Sequence, residues 1–256
     1  RQIVSSYGSA QTASVEHLPL FPRLSRVDIS DCPNLRSIPL GPAVDTLMFW
    51  KSGIVEEEED EKVVSSRSNN DCGNWRSYDP KIKEITTDNV KSLKSLPMVA
   101  FQCLTKMEIE FDGKIESLSE VEDVFRGCSS SLRFLKIEDC WKLRSVSRGL
   151  QHLTALESLE LIDLPELRFD ETQGQEEEEE EMPWRCLAQC LHTLKLVHLR
   201  KVCNLPKGMC YLTALQSLEI KELPLKDLPE WIGCLQSLHS LEITKCEHLE
   251  SLPEIG

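Results

Sequence analysis

The chain has no run of about 18 apolar residues, the length a membrane-spanning helix requires. Its first residues, RQIVSSYGSAQTASVEHLPLF, are too polar for the core of a signal peptide. Neither membrane insertion nor a secretory address is therefore expected. No Asn-x-Ser/Thr sequon occurs, and the eleven cysteines follow no pairing frame. Both absences point to a reducing compartment, the cytoplasm or the nucleus. There is no G-x-x-x-x-G-K-[ST] phosphate loop, so these residues offer no site for ADP or ATP and no cofactor is expected. A basic stripe is also missing, and without one the phosphates of nucleic acid go unneutralised. Carboxylates abound, but no pair stands apart for acid and base roles, and an enzyme is not expected.

The segment CLAQCLHTLKLVHLRKVCNLPKGMC (186–210) gathers four cysteines and two histidines, which raises zinc. Structural zinc prefers close C-x2-C pairs. Here three residues separate Cys186 from Cys190 and six separate Cys203 from Cys210, so no metal site is expected.

The formal charge of −14 is concentrated in two blocks, EEEEDE at 56–61 and EEEEEE at 176–181. Without them the chain is nearly neutral. Runs of like charge repel themselves and bury no apolar surface, so residues 51–80 and 170–185 are expected to be acidic insertions without fixed structure. Two readings stay open for them: solvated loops without a partner, or electrostatic docking on a basic surface.

What the chain does contain is repetition. LHSLEITKCEHLESLP (238–253) returns as LSRVDISDCPNLRSIP (24–39), LRFLKIEDCWKLRSV (132–146) and LESLELIDLPELRF (156–169). A pattern L-x-x-L-x-L-x-x-C/L-x-x-L runs through the sequence. Each unit places a pair of apolar residues on a short strand: Val27/Ile29, Leu47/Phe49, Ile85/Thr87, Met107/Ile109, Leu135/Ile137, Leu159/Leu161, Leu194/Leu196, Leu218/Ile220 and Leu241/Ile243. The second and third units are the weakest, the second because VDTLMFW (44–50) lacks the following leucines and the third because Thr87 stands where an aliphatic belongs. Two long intervals interrupt an otherwise regular period, and each contains one acidic run.

One such unit cannot bury its leucines alone. Stacked units can, with strands pairing in parallel and leucines forming ladders inside. Cys32, Cys140 and Cys246 stand in the column that holds Leu164, Leu199 and Leu223 elsewhere, so they read as small buried hydrophobes and not as reactive thiols. In the last copy Leu238, Leu241, Ile243, Cys246, Leu249 and Leu252 are all expected to face inward.

The pattern resembles the leucine-rich repeat. The phrases LPLFPRLSRVDISDCPNLRSIP, LPEWIGCLQSLHSLEITKCEHLESLP and LTALQSLEI are similar to the repeat region of plant intracellular nucleotide-binding immune receptors (NLR disease resistance proteins), especially the coiled-coil class. The resemblance covers nearly the whole chain outside the two acidic insertions. It implies an α/β solenoid, a horseshoe of about nine repeats over 1–256, with a parallel sheet on the concave face and irregular or short helical segments on the convex one. It further implies a sensor module that recognises a pathogen effector, directly or through a guarded host protein, and that contributes to autoinhibition. ADP or ATP would then belong to a nucleotide-binding domain elsewhere in a longer receptor. A substrate-recognition subunit of a ubiquitin ligase is the alternative. Repeats of that group follow the cysteine with an I-T-D-x-G-like phrase, whereas here x-x-L-x-S-L/I/V follows.

In such a stack the strand residues between the ladder positions are free to meet a protein partner. The central column is Asp28, Glu108, Lys136, Glu160, Lys195, Glu219 and Glu242, joined by His239. Apolar candidates flank it: Met48, Trp50, Phe111, Phe134, Ile162 and Val197. Large exposed apolar groups would anchor an interface. For Trp50 and Phe111 packing under neighbouring loops is equally open.

Overall fold

The computed structural model describes residues 21–32, 35, 41–51, 81–169 and 178–252. Most of the first acidic insertion, and the acidic run inside it, lie outside them. The chain forms one nine-stranded sheet whose strand order equals the sequence order. The strands are β1 Arg26–Ser30, β2 Thr46–Trp50, β3 Glu84–Thr87, β4 Lys106–Glu110, β5 Phe134–Glu138, β6 Ser158–Ile162, β7 Thr193–Val197, β8 Ser217–Lys221 and β9 Ser240–Thr244. Every neighbouring pair is parallel. Parallel neighbours require the chain to cross back over one face between strands, which gives a solenoid-like α/β arrangement.

Register follows the apolar pairs of the repeat: Leu135 lies opposite Met107 and Leu159, and Ile137 opposite Ile109 and Leu161. Strand residues alternate faces, so one register step would turn every leucine outward. From β4 to β8 the inward residues are essentially solvent-free. Each such leucine contributes about 1.5–3 kcal/mol relative to exposure.

The returning segments carry short helical pieces: 3-10 turns at Val90–Ser95, Met98–Phe101, Leu118–Val121, Lys207–Tyr211 and Glu230–Cys234, and helices α1 Glu122–Gly127, α2 Ser147–Leu150 and α3 Glu178–Leu187. Packing is tight where α2 meets the preceding unit. A Cβ added to Gly149 would sit 2.6 Å from the Leu118 Cβ of the preceding unit. Ser117 and Glu120 form a reciprocal capping box. Burial opposes the Glu120 charge, yet hydrogen bonds from Lys91 and from the N–H groups of Glu116 and Ser117 hold its carboxyl below the usual range.

Two departures from the expected unit have local causes. Thr87, in an aliphatic slot, is fully buried, and its hydroxyl accepts from the Asn89 N–H at 3.0 Å. Asp112 occupies the cysteine/leucine column and is also fully buried. Its carboxylate accepts from the N–H groups of Val90 (2.9 Å), Lys114 (2.9 Å) and Ile115 (3.1 Å), thereby tying two units together. Buried polar groups persist only when satisfied in this way.

The second acidic insertion, expected to lack fixed structure as far as residue 185, is helical over its described part. Helix α3 begins at Glu178, and Trp184 is buried with its ring edge-on to Phe169, centroids 5.6 Å apart. Arg185 lies over the Tyr211 ring at 4.4 Å. These aromatic contacts give the segment an apolar anchor that a purely acidic loop lacks. The last copy also differs from expectation. Leu241 is 42% and Leu252 63% exposed, and Leu238, Ile243, Cys246 and Leu249 are only partly buried. Leu238, Ile243, Cys246 and Leu249 still pack against the core, but β9 pairs with β8 alone among the described strands.

Candidate interaction surface

The face of the sheet opposite the ladders is uncovered by the helical pieces. One register column runs Asp28, Met48, Thr86, Glu108, Lys136, Glu160, Lys195, Glu219 and Glu242. Eight candidates from the sequence thus stand in a single row, with Thr86 completing it. Alternation puts them there, since each lies between two inward ladder residues.

Of the row's seven charged residues, four are paired with a neighbouring side chain. Lys195 meets Glu219 at 3.2 Å, Lys106 meets Glu108 at 3.2 Å, and the Thr86 hydroxyl donates to Glu108 at 3.2 Å. Lys136 is gripped by Glu110 at 2.8 Å and by Glu138. Partial burial works against its charge, but the hydrogen bonds it donates to the two carboxylates outweigh that and raise its pKa above the ordinary lysine range. Among the described residues Asp28, Glu160 and Glu242 form no ion pair. The consequence of these pairs is a fixed pattern of charge.

The apolar candidates divide into two groups. Phe134 lies in the row at the start of the strands, with Lys106 5.5 Å over its ring. Met48 lies in the central row, with the Arg26 Nη2 at 2.9 Å from its sulfur. Trp50, Ile162 and Val197 close their strands, half-buried and aligned with Glu110, Glu138, Lys221 and Thr244.

Phe111 and His239 do not lie on the sheet face. His239 precedes β9 at the opposite edge, where its N–H donates to the Gln216 carbonyl at 2.9 Å. Phe111 follows β4 in the left-handed region, φ 59°. It belongs to a column that the sequence reading missed: Asp31, Lys51, Phe111, Asp139, Asp163, His198, Glu222 and Lys245, all with φ between 48° and 59°. Asp occurs three times there, the side chain that tolerates this conformation well, and that recurrence was the available signal. In most units the N–H of this residue donates to the last carbonyl of the next strand, as Phe111 does to Glu138 at 3.0 Å and Asp139 to Ile162 at 3.1 Å. Strand β3 is one residue shorter, so the Lys51 N–H turns to the Asp88 carboxylate at 2.6 Å. The column therefore forms a rim along one edge of the sheet.

Two features mark this rim. Around its units 7–9 lies an open cleft of about 690 Å³ lined by His198, Arg200, Glu222 and Lys245 among others. Several of its polar groups are engaged with one another or with a neighbour: His198 with Asp163, Lys245 with Glu222 at 3.0 Å, and Arg200 Nε with His198 at 3.3 Å. In units 4 and 5 the rim instead carries exposed aromatic surface, Phe111 at 52% and Trp141 at 53%. The Trp141 indole covers Gly113, where an added Cβ would meet its Cζ2 at 2.8 Å.

The cysteines divide by position. Cys128 and Cys140 are buried, and burial pushes both thiols up to about 12, which suppresses the reactive thiolate. Cys246 is partly buried, and Cys32, at the other end of the sheet, is exposed. Among the described residues no group of three or more His, Cys, Asp or Glu is placed to hold a metal ion, and no helix is long and apolar enough to cross a membrane. No protein-family model matches the chain, and no curated protein is significantly similar to it.

Proposed function

We propose that this chain is a protein-binding repeat module, the leucine-rich-repeat sensor of a plant intracellular immune receptor of the coiled-coil class. Its partner in this reading is a pathogen effector or a guarded host protein, with autoinhibition of a nucleotide-binding domain as its second task. One observation carries the binding part: the parallel sheet presents an open face whose side chains are irrelevant to the ladders and are held in a defined charge pattern by cross-strand pairs. The receptor part rests on the repeat phrases. Cofactor chemistry, ADP or ATP, would belong to the upstream domain, and a cytoplasmic or nuclear location goes with the same reading.

Two measurements test it. Sequencing the full-length transcript is expected to read a G-x-x-x-x-G-K-[ST] nucleotide site ahead of residue 1; a ligase-adaptor motif there would shift the assignment to the ubiquitin system. Affinity capture with the wild-type chain and with a triple variant, Lys136→Ala, Glu160→Ala and Lys195→Ala, is expected to show partners lost from the variant. An unchanged set of captured proteins would remove the open face from the interface.

A further inference from the structure

All four buried polar residues among those described, Thr86, Thr87, Ser92 and Asp112, fall in units 3 and 4. From β5 to β8 the ladder column that follows each strand is apolar and buried: Cys140, Leu164, Leu199 and Leu223. Between β3 and β4 it is not. There the Asp112 carboxylate stands in the column and accepts the N–H of Val90, its counterpart in unit 3, at 2.9 Å. The strand pairing is shorter at the same place. β3 aligns four residues with β2 and four with β4, whereas every other neighbouring pair aligns five.

Further polar ties cross from unit 4 to unit 3. Glu120 pairs with Lys91, Glu108 accepts from the Thr86 hydroxyl at 3.2 Å, and the hydroxyls of Ser131 and Thr105 donate to the carbonyls of Phe101 (3.3 Å) and Lys83 (3.1 Å). Glu120 also accepts from the N–H groups of Glu116 and Ser117, so this tie runs into the capping box. On the other side Thr87 and Ser92 both bond to the Asn89 backbone, next to Val90.

Opening an apolar ladder puts hydrocarbon into water with nothing in return. Opening a hydrogen-bonded contact exchanges each protein bond for one to water, which returns much of what was lost. In a stack whose units touch only their neighbours, the array divides at the interface that costs least to open. Bonds that share partners fail together, so the division is abrupt.

We propose that the solenoid contains an internal joint between β3 and β4, held by Asp112 and its polar neighbours, at which β1–β3 opens as one block while β4–β9 keeps its ladders. The joint is a conformational device of the scaffold and does not depend on the protein-binding reading.

Hydrogen exchange of the full 256-residue chain, resolved by mass spectrometry of overlapping peptides, tests it. Peptides covering β2 and β3 are expected to open together and about a hundredfold more readily than those covering β4, which exchange with β5–β7. Protection that declines smoothly from β5 to β1, or a step between β2 and β3 instead, overturns the proposal. Asp112→Asn keeps the side-chain shape and one acceptor oxygen, and is expected to speed exchange in β2 and β3 about tenfold while leaving β6–β8 unchanged. No change in β2 and β3, or an equal change in β7, overturns the role of Asp112. Lys91→Met acts in the same direction by about twofold to threefold, and keeps the test open should Asp112→Asn not fold. Leu161→Ala is the control: it weakens an apolar ladder and is expected to speed exchange on both sides of β6 without a step between β3 and β4 beyond that of the wild type.

Discussion

Strands β5 and β9 carry closely similar text, FLKIEDC (134–140) and SLEITKC (240–246), and reach different environments. In β5 Leu135, Ile137 and Cys140 are fully buried. In β9 Leu241 is 42% exposed, and Ile243 and Cys246 are partly covered. The difference lies in the neighbours: β5 pairs with β4 and β6, β9 with β8 alone among the described strands. A repeat unit has no core of its own, so the worth of its leucines is set by what stacks on either side.

That comparison can be broken by measurement, the largest contrast first. Labelling by a thiol reagent at neutral pH is expected to modify Cys140 on the order of a hundredfold more slowly than Cys246, because Cys140 needs local unfolding and its thiol is pushed up to about 12. Equal rates, resolved by mass spectrometry, would show that unit 5 opens as readily as unit 9. Leu135→Ala leaves a cavity between two covered neighbours and should cost about 3–5 kcal/mol in urea unfolding. Asp112→Ala strands three N–H groups, two of them buried, and should cost on the order of 3 kcal/mol, with Asp112→Asn milder because one acceptor oxygen remains. Gly149→Ala forces a Cβ onto Leu118 and should cost about 1–3 kcal/mol. Leu241→Ala closes the series at about 1 kcal/mol or less, since much of that side chain already meets water. A loss as large as that of Leu135→Ala would mean that β9 is covered as β5 is.

The ladders were legible because leucine spacing admits one register: the nine apolar pairs read from sequence are the nine inward pairs of the sheet, Thr87 included. The central row followed from alternation alone. The rim did not. Phe111 read as a face residue because strand periodicity was carried one residue too far, past the point where the backbone turns left-handed. His239 was displaced to the opposite edge by the same kind of step. Trp141 has no partner within its own unit, since the Gly113 that its ring covers is 28 residues away in the chain. Asp112 looks like a break in the column, and only the approach of the Val90 N–H from the preceding unit makes it a buried tie.

The sequence alone determined the strand set, the register and which face each strand residue takes, because a period-two pattern and a repeated leucine frame have one consistent stacking. The tertiary structure decided how deeply each leucine is buried, which carboxylates are paired, and which aromatics stay exposed. Those depend on contacts between units, and the spacing within a single unit carries no record of them.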